Sequence, residues 1–230
     1  MTMATNFRTE GKLSTAVVTG GETYDVVAFQ SMLRAMTEID FYPQHLEDYL
    51  QDIWKRDQYD VIAFYNYQQT TPGERADELG MLAKGPLEAL GEGDQGILML
   101  HHALTAFPKW QYWLNICGMG DWTTAHRPGP ISRTDQRLHI EVANPQHPIT
   151  SELESWDMVD ETYNFADATA GSEVLLTTDH LESMRTIAWT RVHKNARVFC
   201  YQSGHDSQAF SNPQFRTVLA RGVQWLAGKI

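Results

Sequence analysis

Short apolar segments alternate with helical patterns through the first hundred residues, and this alternation restricts the fold more than any other feature. Leu13 to Thr19 is rich in β-branched residues and stops at a Gly-Gly pair, after which apolar residues recur at helical spacing as far as Met36. Tyr59 to Tyr65 and Gly96 to Leu100 are apolar at consecutive positions, as strands buried on both faces should be. The order predicts an α/β fold, with a doubly wound, mainly parallel sheet and helices on both faces.

Weaker patterns complete the expected order of elements. Asp40 to Tyr42 predicts a short strand and His45 to Trp54 a helix. Thr71-Pro72-Gly73-Glu74 combines a capping hydroxyl, a proline and a glutamate in the order that begins a helix, which is expected to reach Leu90. The second half predicts a last helix, capped by Asn212-Pro213, and four more strands: Arg137 to Val142, Ser172 to Thr178, Ile187 to Thr190 and Arg197 to Tyr201.

No internal repeat, low-complexity tract or long linker divides the sequence. We therefore expect an N-terminal extension over residues 1–12 and a single domain over residues 13–230. Gly118 to Thr134 is interpreted as a long loop near the predicted strand ends, where the loops of compact domains are often functional.

Charge and hydropathy exclude several classes of partner. The chain has 18 Lys and Arg against 29 Asp and Glu, a formal net charge of −11, and no basic patch that would attract nucleic acid. Its apolar runs are far shorter than the roughly 20 residues of a membrane-spanning helix. The first residues do not resemble an export signal, so a cytoplasmic protein is expected. Cys117 and Cys200 are interpreted as buried thiols rather than as a disulfide framework.

Histidines stand at the ends of two predicted strands. His101 and His102 directly follow Gly96 to Leu100, and His205 follows Arg197 to Tyr201. Ligands of doubly wound sheets bind at the carboxyl ends of the strands, where an imidazole can transfer protons. The alternative, in which these side chains only tie down loops by hydrogen bonds, stays open.

Four other segments each have a structural and a functional interpretation. His147 lies either in an ordered turn or in a site, and Asp160 to Tyr163 forms either a solvated strand edge or a source of acid and base groups. Trp189 either fills the core or stacks on a sugar. Gly20-Gly21 lacks the spacing of a phosphate-binding loop. The motifs of P-loop enzymes, zinc fingers, zincins and serine esterases are absent from the sequence.

Taken together, several motifs resemble the trehalose-utilisation, or ThuA-like, family. The resemblance covers about residues 13 to 228 and implies a fold similar to that of the class I glutamine amidotransferases, which is flavodoxin-like. The motifs, in chain order, are Gly96-Ile97-Leu98-Met99-Leu100-His101-His102-Ala103, His147-Pro148-Ile149-Thr150, Asp160-Glu161-Thr162-Tyr163, Trp189, and Arg197-Val198-Phe199 followed by Gly204-His205-Asp206.

The resemblance locates a site and also excludes a reaction. Amidotransferases of this fold carry a cysteine at the turn after the strand, whereas this chain has His101 there and no thiol or hydroxyl at the elbow. Glutamine hydrolysis is therefore excluded. The residues expected to be catalytic are His101, His205 and Glu161, and those expected to contact substrate are His102, His147, Tyr163, Trp189, Asp206 and Gly21.

Successive residues at a strand end point to opposite sides, so His101 and His102 can both face the cleft only if the turn breaks this alternation. The resemblance places His101 at the elbow, so we expect His101 to face the cleft and His102 to anchor the segment that follows. The carboxyl ends of the strands should bring His101, His205 and Glu161 into one cleft.

Two classes of function follow from the resemblance. In the first, an enzyme of carbohydrate utilisation cleaves a disaccharide or a keto-glycoside by elimination or hydration, with His101 or Glu161 as base and His205 as acid. In the second, the protein is a non-catalytic sugar-binding or regulatory protein. A divalent metal held by His101, His205 and Glu161 is a third possibility. The expected partner is a small carbohydrate, a homo-oligomer is possible, and the cofactor is left open.

Overall fold

The first half of the chain alternates strands and helices, as the sequence predicts. The computed structural model describes residues 8–72, 78–124 and 126–230. The helix start predicted at Thr71 to Glu74 lies partly outside the described residues. The elements, in chain order, are β1 (Leu13–Gly20), α1 (Val26–Ala35), β2 (Ile39–His45), α2 (Leu46–Gln51), β3 (Val61–Asn66), α3 (Glu78–Glu88) and β4 (Gly96–Leu100).

The second half contains the four predicted strands and one more. The additional strand is β6, and β5 begins at Ser132, inside the stretch interpreted as a loop. The helix predicted at the C-terminus is present, and Asn212 caps it by accepting the N–H of Phe215. The elements are α4 (Gln111–Cys117), β5 (Ser132–Val142), β6 (Trp156–Tyr163), β7 (Glu173–Thr177), β8 (Thr186–His193), β9 (Ala196–Tyr201), α5 (Ser207–Ser211) and α6 (Pro213–Leu226).

The strands form one sheet in the order β2-β1-β3-β4-β9-β8-β7-β5-β6. The first five strands in this order are parallel, and the pairs from β9 to β6 are antiparallel. The protein is thus an α/β protein whose sheet carries an antiparallel extension. β4 and β9 are parallel neighbours in register from Ile97 and Val198 to Leu100 and Tyr201, so the segments that follow both strands leave the sheet side by side.

Apolar layers cover both faces of the sheet, which explains the uninterrupted apolar runs of β3 and β4. One layer packs α1 and α6 against the sheet through residues such as Phe29 and Val218. The other contains Tyr49, Trp113 and Trp189. No helix in the described part of the chain is long and apolar enough to span a membrane.

Both cysteines lie in the second layer, in elements where the sequence places them. Cys117 ends α4, Cys200 lies in β9, and both are fully buried thiols. The Cys200 thiol donates to the carbonyl oxygen of Cys117 at 3.4 Å. Burial raises the pKa of each thiol, which disfavours the reactive thiolate.

Candidate functional site

The turn after β4 places two imidazoles side by side. His101 adopts a φ of 52°, in the left-handed region that non-glycine residues rarely occupy, and begins a 3-10 turn from His101 to Thr105. This turn interrupts the alternation of the strand, so the ring centroids of His101 and His102 lie only 4.1 Å apart. The turn thus breaks the alternation, which is the one case in which the sequence analysis allows both side chains to face the cleft. Left-handed residues of this kind cluster at functional sites.

The loop after β9 carries His205 and is held from two sides. Asp160 of β6 is buried and accepts the backbone N–H groups of Gly204 and His205 at 2.8 and 3.0 Å. Tyr65 at the end of β3 donates its hydroxyl to the carbonyl oxygen of Gly204 at 2.9 Å. Gly204 has a φ of 120°, which favours glycine. Burial raises the pKa of Asp160.

Side chains from the turn after β4, from the loop after β9 and from β6 meet at one end of the sheet. Glu161 Oε2 lies 3.2 Å from His101 Nε2 and 3.1 Å from His205 Nδ1. The two imidazole nitrogens lie 3.3 Å from each other. The structure thus brings these three residues together, as the sequence analysis expects, whereas their catalytic role stays a prediction.

A tyrosine joins this cluster to the second histidine. The Tyr163 hydroxyl lies 2.9 Å from His102 Nδ1 and 3.3 Å from His101 Nε2. The rings of His101 and Tyr163 are stacked, with centroids 5.2 Å apart. His102 therefore belongs to the cluster, and its expected role as an anchor outside the cleft is not what the structure shows.

Charge in the cluster is concentrated on Glu161. Burial alone would raise the pKa of Glu161, but the imidazoles of His101 and His205 outweigh it and hold this pKa well below its usual range. The contact with Glu161 in turn raises the pKa of His205. Burial lowers the pKa of His102 and raises that of the Tyr163 phenol. The cluster therefore contains one ionised carboxylate beside an uncharged His102 and phenol.

The cluster borders a cavity of about 200 Å³ with aromatic walls, which neither His101 nor His205 lines. His102, Glu161 and Tyr163 line it together with Trp122 and Phe165, whose ring centroids lie 5.4 Å apart. A larger depression of about 580 Å³ lies elsewhere, between α1 and β2, and none of the clustered histidines lines it.

Sequence reasoning missed Trp122. Its indole Nε1 is buried and has no hydrogen-bond partner among the described residues, although a buried indole N–H normally has one. Trp122 lies in the long stretch that the sequence analysis interpreted as a loop near the strand ends. A tryptophan in a loop near the strand ends could have marked this residue as a candidate for ligand contact.

Four of the residues predicted to contact substrate do not line the cavity, and two of these are buried elsewhere. Trp189 is fully buried in the core and donates its Nε1–H to the carbonyl oxygen of Cys117 at 2.8 Å, so it cannot stack on a sugar. The buried His147 accepts the N–H of Ile149 through Nδ1 at 3.2 Å and packs against Trp225. Burial lowers the pKa of His147. Both residues thus lie where the structural interpretation expects them.

Two further predicted residues support the site through the backbone. Asp206 caps α5 by accepting the N–H of Gln208 at 2.8 Å and does not orient the His205 ring. Gly21 has a φ of 85°, and a Cβ there would lie 2.1 Å from the carbonyl oxygen of Tyr67. Gly21 therefore permits the close approach of Tyr67, which lines the cavity.

The cluster also has the composition of a metal site. His101, His102, Glu161 and His205 each offer one ligand atom, and these atoms all lie within 4.8 Å of one another. Imidazole nitrogens with a carboxylate oxygen form the ligand set of many transition-metal sites in proteins.

Comparison with solved structures shows the fold. A ThuA-like protein from Parabacteroides merdae has a TM-score of 0.71 at 20% identity, with 95% of this chain and 91% of that chain covered. A ThuA-like protein from Bacteroides uniformis has a TM-score of 0.68 at 19% identity, with 95% and 93% covered. A glutamine amidotransferase from Thermotoga maritima has a TM-score of 0.57 at 7% identity, with 94% and 98% covered.

Sequence comparison identifies the family. No functionally curated protein matches the chain in sequence. The sequence profile of the ThuA family, described as trehalose utilisation, matches residues 16–226. This match includes the turn after β4, the β6 carboxylate and the loop after β9, and the chain belongs to the ThuA family.

Proposed function

We propose that this protein is an enzyme of carbohydrate utilisation that cleaves a disaccharide or a keto-glycoside by proton transfer. The single observation that carries the proposal is the position of Glu161, with Oε2 3.2 Å from His101 Nε2 and 3.1 Å from His205 Nδ1, beside a cavity with aromatic walls. A carboxylate flanked by two imidazoles provides a base and an acid within reach of one ligand.

The chemistry of an oxidised sugar suits these groups. A C–H bond next to a ketone is acidic, because the electron pair left behind is delocalised onto the ketone oxygen. When this C–H lies between the ketone and the anomeric carbon, His101 or Glu161 accepts its proton, the C–O bond from the anomeric carbon to the leaving sugar breaks, and the His205 imidazolium protonates the departing oxygen. The products are an unsaturated ketone and a free sugar, and addition of water to the former completes a net hydrolysis.

The surrounding residues would bind the sugar. Aromatic rings pack against the apolar faces of sugar rings, and Trp122 and Phe165 offer such a surface with an unpaired indole N–H beside it. The Tyr163 hydroxyl and His102 can exchange hydrogen bonds with sugar hydroxyl groups. Glutamine hydrolysis lacks support, because Cys117 and Cys200 are both fully buried, in α4 and β9, and neither stands in the turn after β4.

The test compares trehalose with trehalose in which the C3 hydroxyl of one glucose unit has been oxidised to a ketone, which acidifies the C–H next to the anomeric carbon. We expect release of free glucose from the oxidised form, and loss of this release in Glu161→Gln. His139→Ala is the matched control, because His139 lies at the surface, paired with Asp157 at 2.7 Å. Tight binding without turnover would instead support a non-catalytic sugar-binding protein, and neither binding nor turnover of either sugar would overturn the proposal.

A further inference from the structure

We propose that His101, His205 and Glu161 bind one divalent transition-metal ion, with His102 beside the remaining coordination position. The site stands on the geometry of the cluster and does not require the proposed reaction.

The spacing of the three donor atoms is that of ligands around one ion. The separations are 3.1 Å between His205 Nδ1 and Glu161 Oε2, 3.2 Å between His101 Nε2 and Glu161 Oε2, and 3.3 Å between the two nitrogens. Ligands at the usual Zn–N and Zn–O distances, at the corners of a tetrahedron, lie about 3.3 Å apart. An ion would therefore fit with little movement of the side chains.

Hydrogen bonding outside the cluster fixes the tautomer of one ligand. His101 Nδ1 lies 2.8 Å from the carbonyl oxygen of Gln202, which can only accept, so Nδ1 carries the hydrogen. His101 Nε2 then presents a lone pair toward Glu161 in the neutral ring. Metal-binding histidines in proteins are commonly oriented by this type of contact at the other ring nitrogen.

The carboxylate oxygen is left without a conventional partner. Glu161 Oε2 is buried and accepts no hydrogen bond of normal geometry from the described residues. His101 Nε2 and His205 Nδ1 lie 3.2 and 3.1 Å from it, and neither makes a hydrogen bond of normal geometry with it. A buried charge in this position is costly unless a cation satisfies it.

The ligand types restrict which ion fits. Ca²⁺ and Mg²⁺ prefer an all-oxygen shell, whereas two imidazoles and one carboxylate suit Zn²⁺ and related transition metals. Three protein ligands leave a fourth position for water or substrate, as in catalytic zinc sites. His102 also has a ligand atom within 4.8 Å of those of His101, His205 and Glu161, and its Nδ1 lies 2.9 Å from the Tyr163 hydroxyl.

A bound ion would also change the roles of these residues in catalysis. This part of the inference rests on the proposed function. A bound divalent ion polarises a substrate carbonyl and acidifies bound water. His101, His205 and Glu161 would then act as ligands, and the proton transfers would pass to water and to the pair of His102 and Tyr163.

The test measures binding of Zn²⁺ alone to full-length protein that has been stripped with a chelator. We expect one equivalent by titration calorimetry, a rise in melting temperature, and intense visible absorption bands when Co²⁺ replaces Zn²⁺. Loss of a direct ligand in Glu161→Gln or His205→Asn should weaken binding by at least about 100-fold. His139→Ala should bind as the wild type does, and circular dichroism checks that each variant is folded.

Three results would separate the two proposals. Absence of Zn²⁺ and Co²⁺ binding, or binding that neither Glu161→Gln nor His205→Asn weakens, overturns the metal site. Turnover of the oxidised sugar by metal-free protein would leave the proton-transfer function standing without the ion. Stoichiometric binding that depends on Glu161, without turnover, would support the metal site and contradict the proposed function.

Discussion

Asp160 positions His205 without touching its imidazole. The carboxylate accepts the backbone N–H groups of Gly204 and His205 at 2.8 and 3.0 Å, and that of Glu161 at 2.9 Å. Adjacent residues of β6 thus have separate tasks, because Asp160 fixes the loop and Glu161 enters the cluster.

We expect Asp160→Asn to destabilise the protein. The amide replaces one accepting oxygen with a donor that faces backbone N–H groups, and an unsatisfied buried polar group costs about 1–3 kcal/mol. Denaturant unfolding followed by circular dichroism measures this loss. A variant as stable as the wild type would show that the three contacts do not hold the loop.

Trp122 and Trp189 should respond in opposite ways to substitution by leucine. Trp122→Leu removes part of the cavity wall and should weaken sugar binding with little effect on stability. Trp189→Leu leaves a void in the core, and loss of most of a buried aromatic side chain costs up to about 3–5 kcal/mol. Melting temperature and calorimetric titration with the sugar separate the two effects, and a loss of sugar binding only in Trp189→Leu would contradict the assignment.

His101→Ala should reduce turnover by roughly 10²–10⁴-fold, the usual contribution of a general acid or base. His102→Ala should also impair turnover, because its ring lies 4.1 Å from that of His101 and contacts Tyr163. Initial rates on the oxidised sugar, together with thermal melts, measure both effects. Full activity of His102→Ala with a lower melting temperature would instead restore the anchoring role first expected for this residue.

Asp60 gives a pH-dependent contribution to stability away from the site. Burial raises the pKa of Asp60, but the Arg8 guanidinium and Ser14, whose N–H donates at 2.8 Å, outweigh it, so the net pKa is lowered. Because the folded-state pKa lies below the unfolded-state pKa of about 3.9, the ionised carboxylate stabilises the folded protein at pH values above that unfolded-state pKa. This contribution is lost as the pH falls through the folded-state pKa.

The unfolding free energies of the wild type and Asp60→Asn, compared across acidic pH, test this contribution. The wild type should be more stable above about pH 4, and the difference should shrink as the pH is lowered. A difference that is constant across this range would mean that ionisation of Asp60 does not contribute.

The strands that are clearest in the sequence are those whose side chains are all buried in the hydrophobic core. β1, β3 and β4 are buried on both faces, so their apolar runs are uninterrupted. Asp160 to Tyr163 was expected only as a possible solvated strand edge, and β6 instead buries Asp160 and Glu161, for hydrogen bonding and charge rather than for hydrophobicity. The positive φ of His101 was not predicted either, because nothing in a His-His pair indicates it.

The position of β6 in the sheet has a consequence for how this site can change. β6 is the last strand in the sheet order, four strands away from β9, yet its Glu161 contacts the histidines that follow β4 and β9. The parallel strands present the imidazoles, and a separate β5–β6 ribbon folds over their ends with the carboxylate and the phenol. The imidazoles and the carboxylate thus come from different parts of the sheet, and Asp160 links them, because this β6 residue also holds the loop that carries His205. A substitution at Glu161 or Tyr163 can change the cluster and leave that loop in place, whereas a substitution at Asp160 also releases the loop.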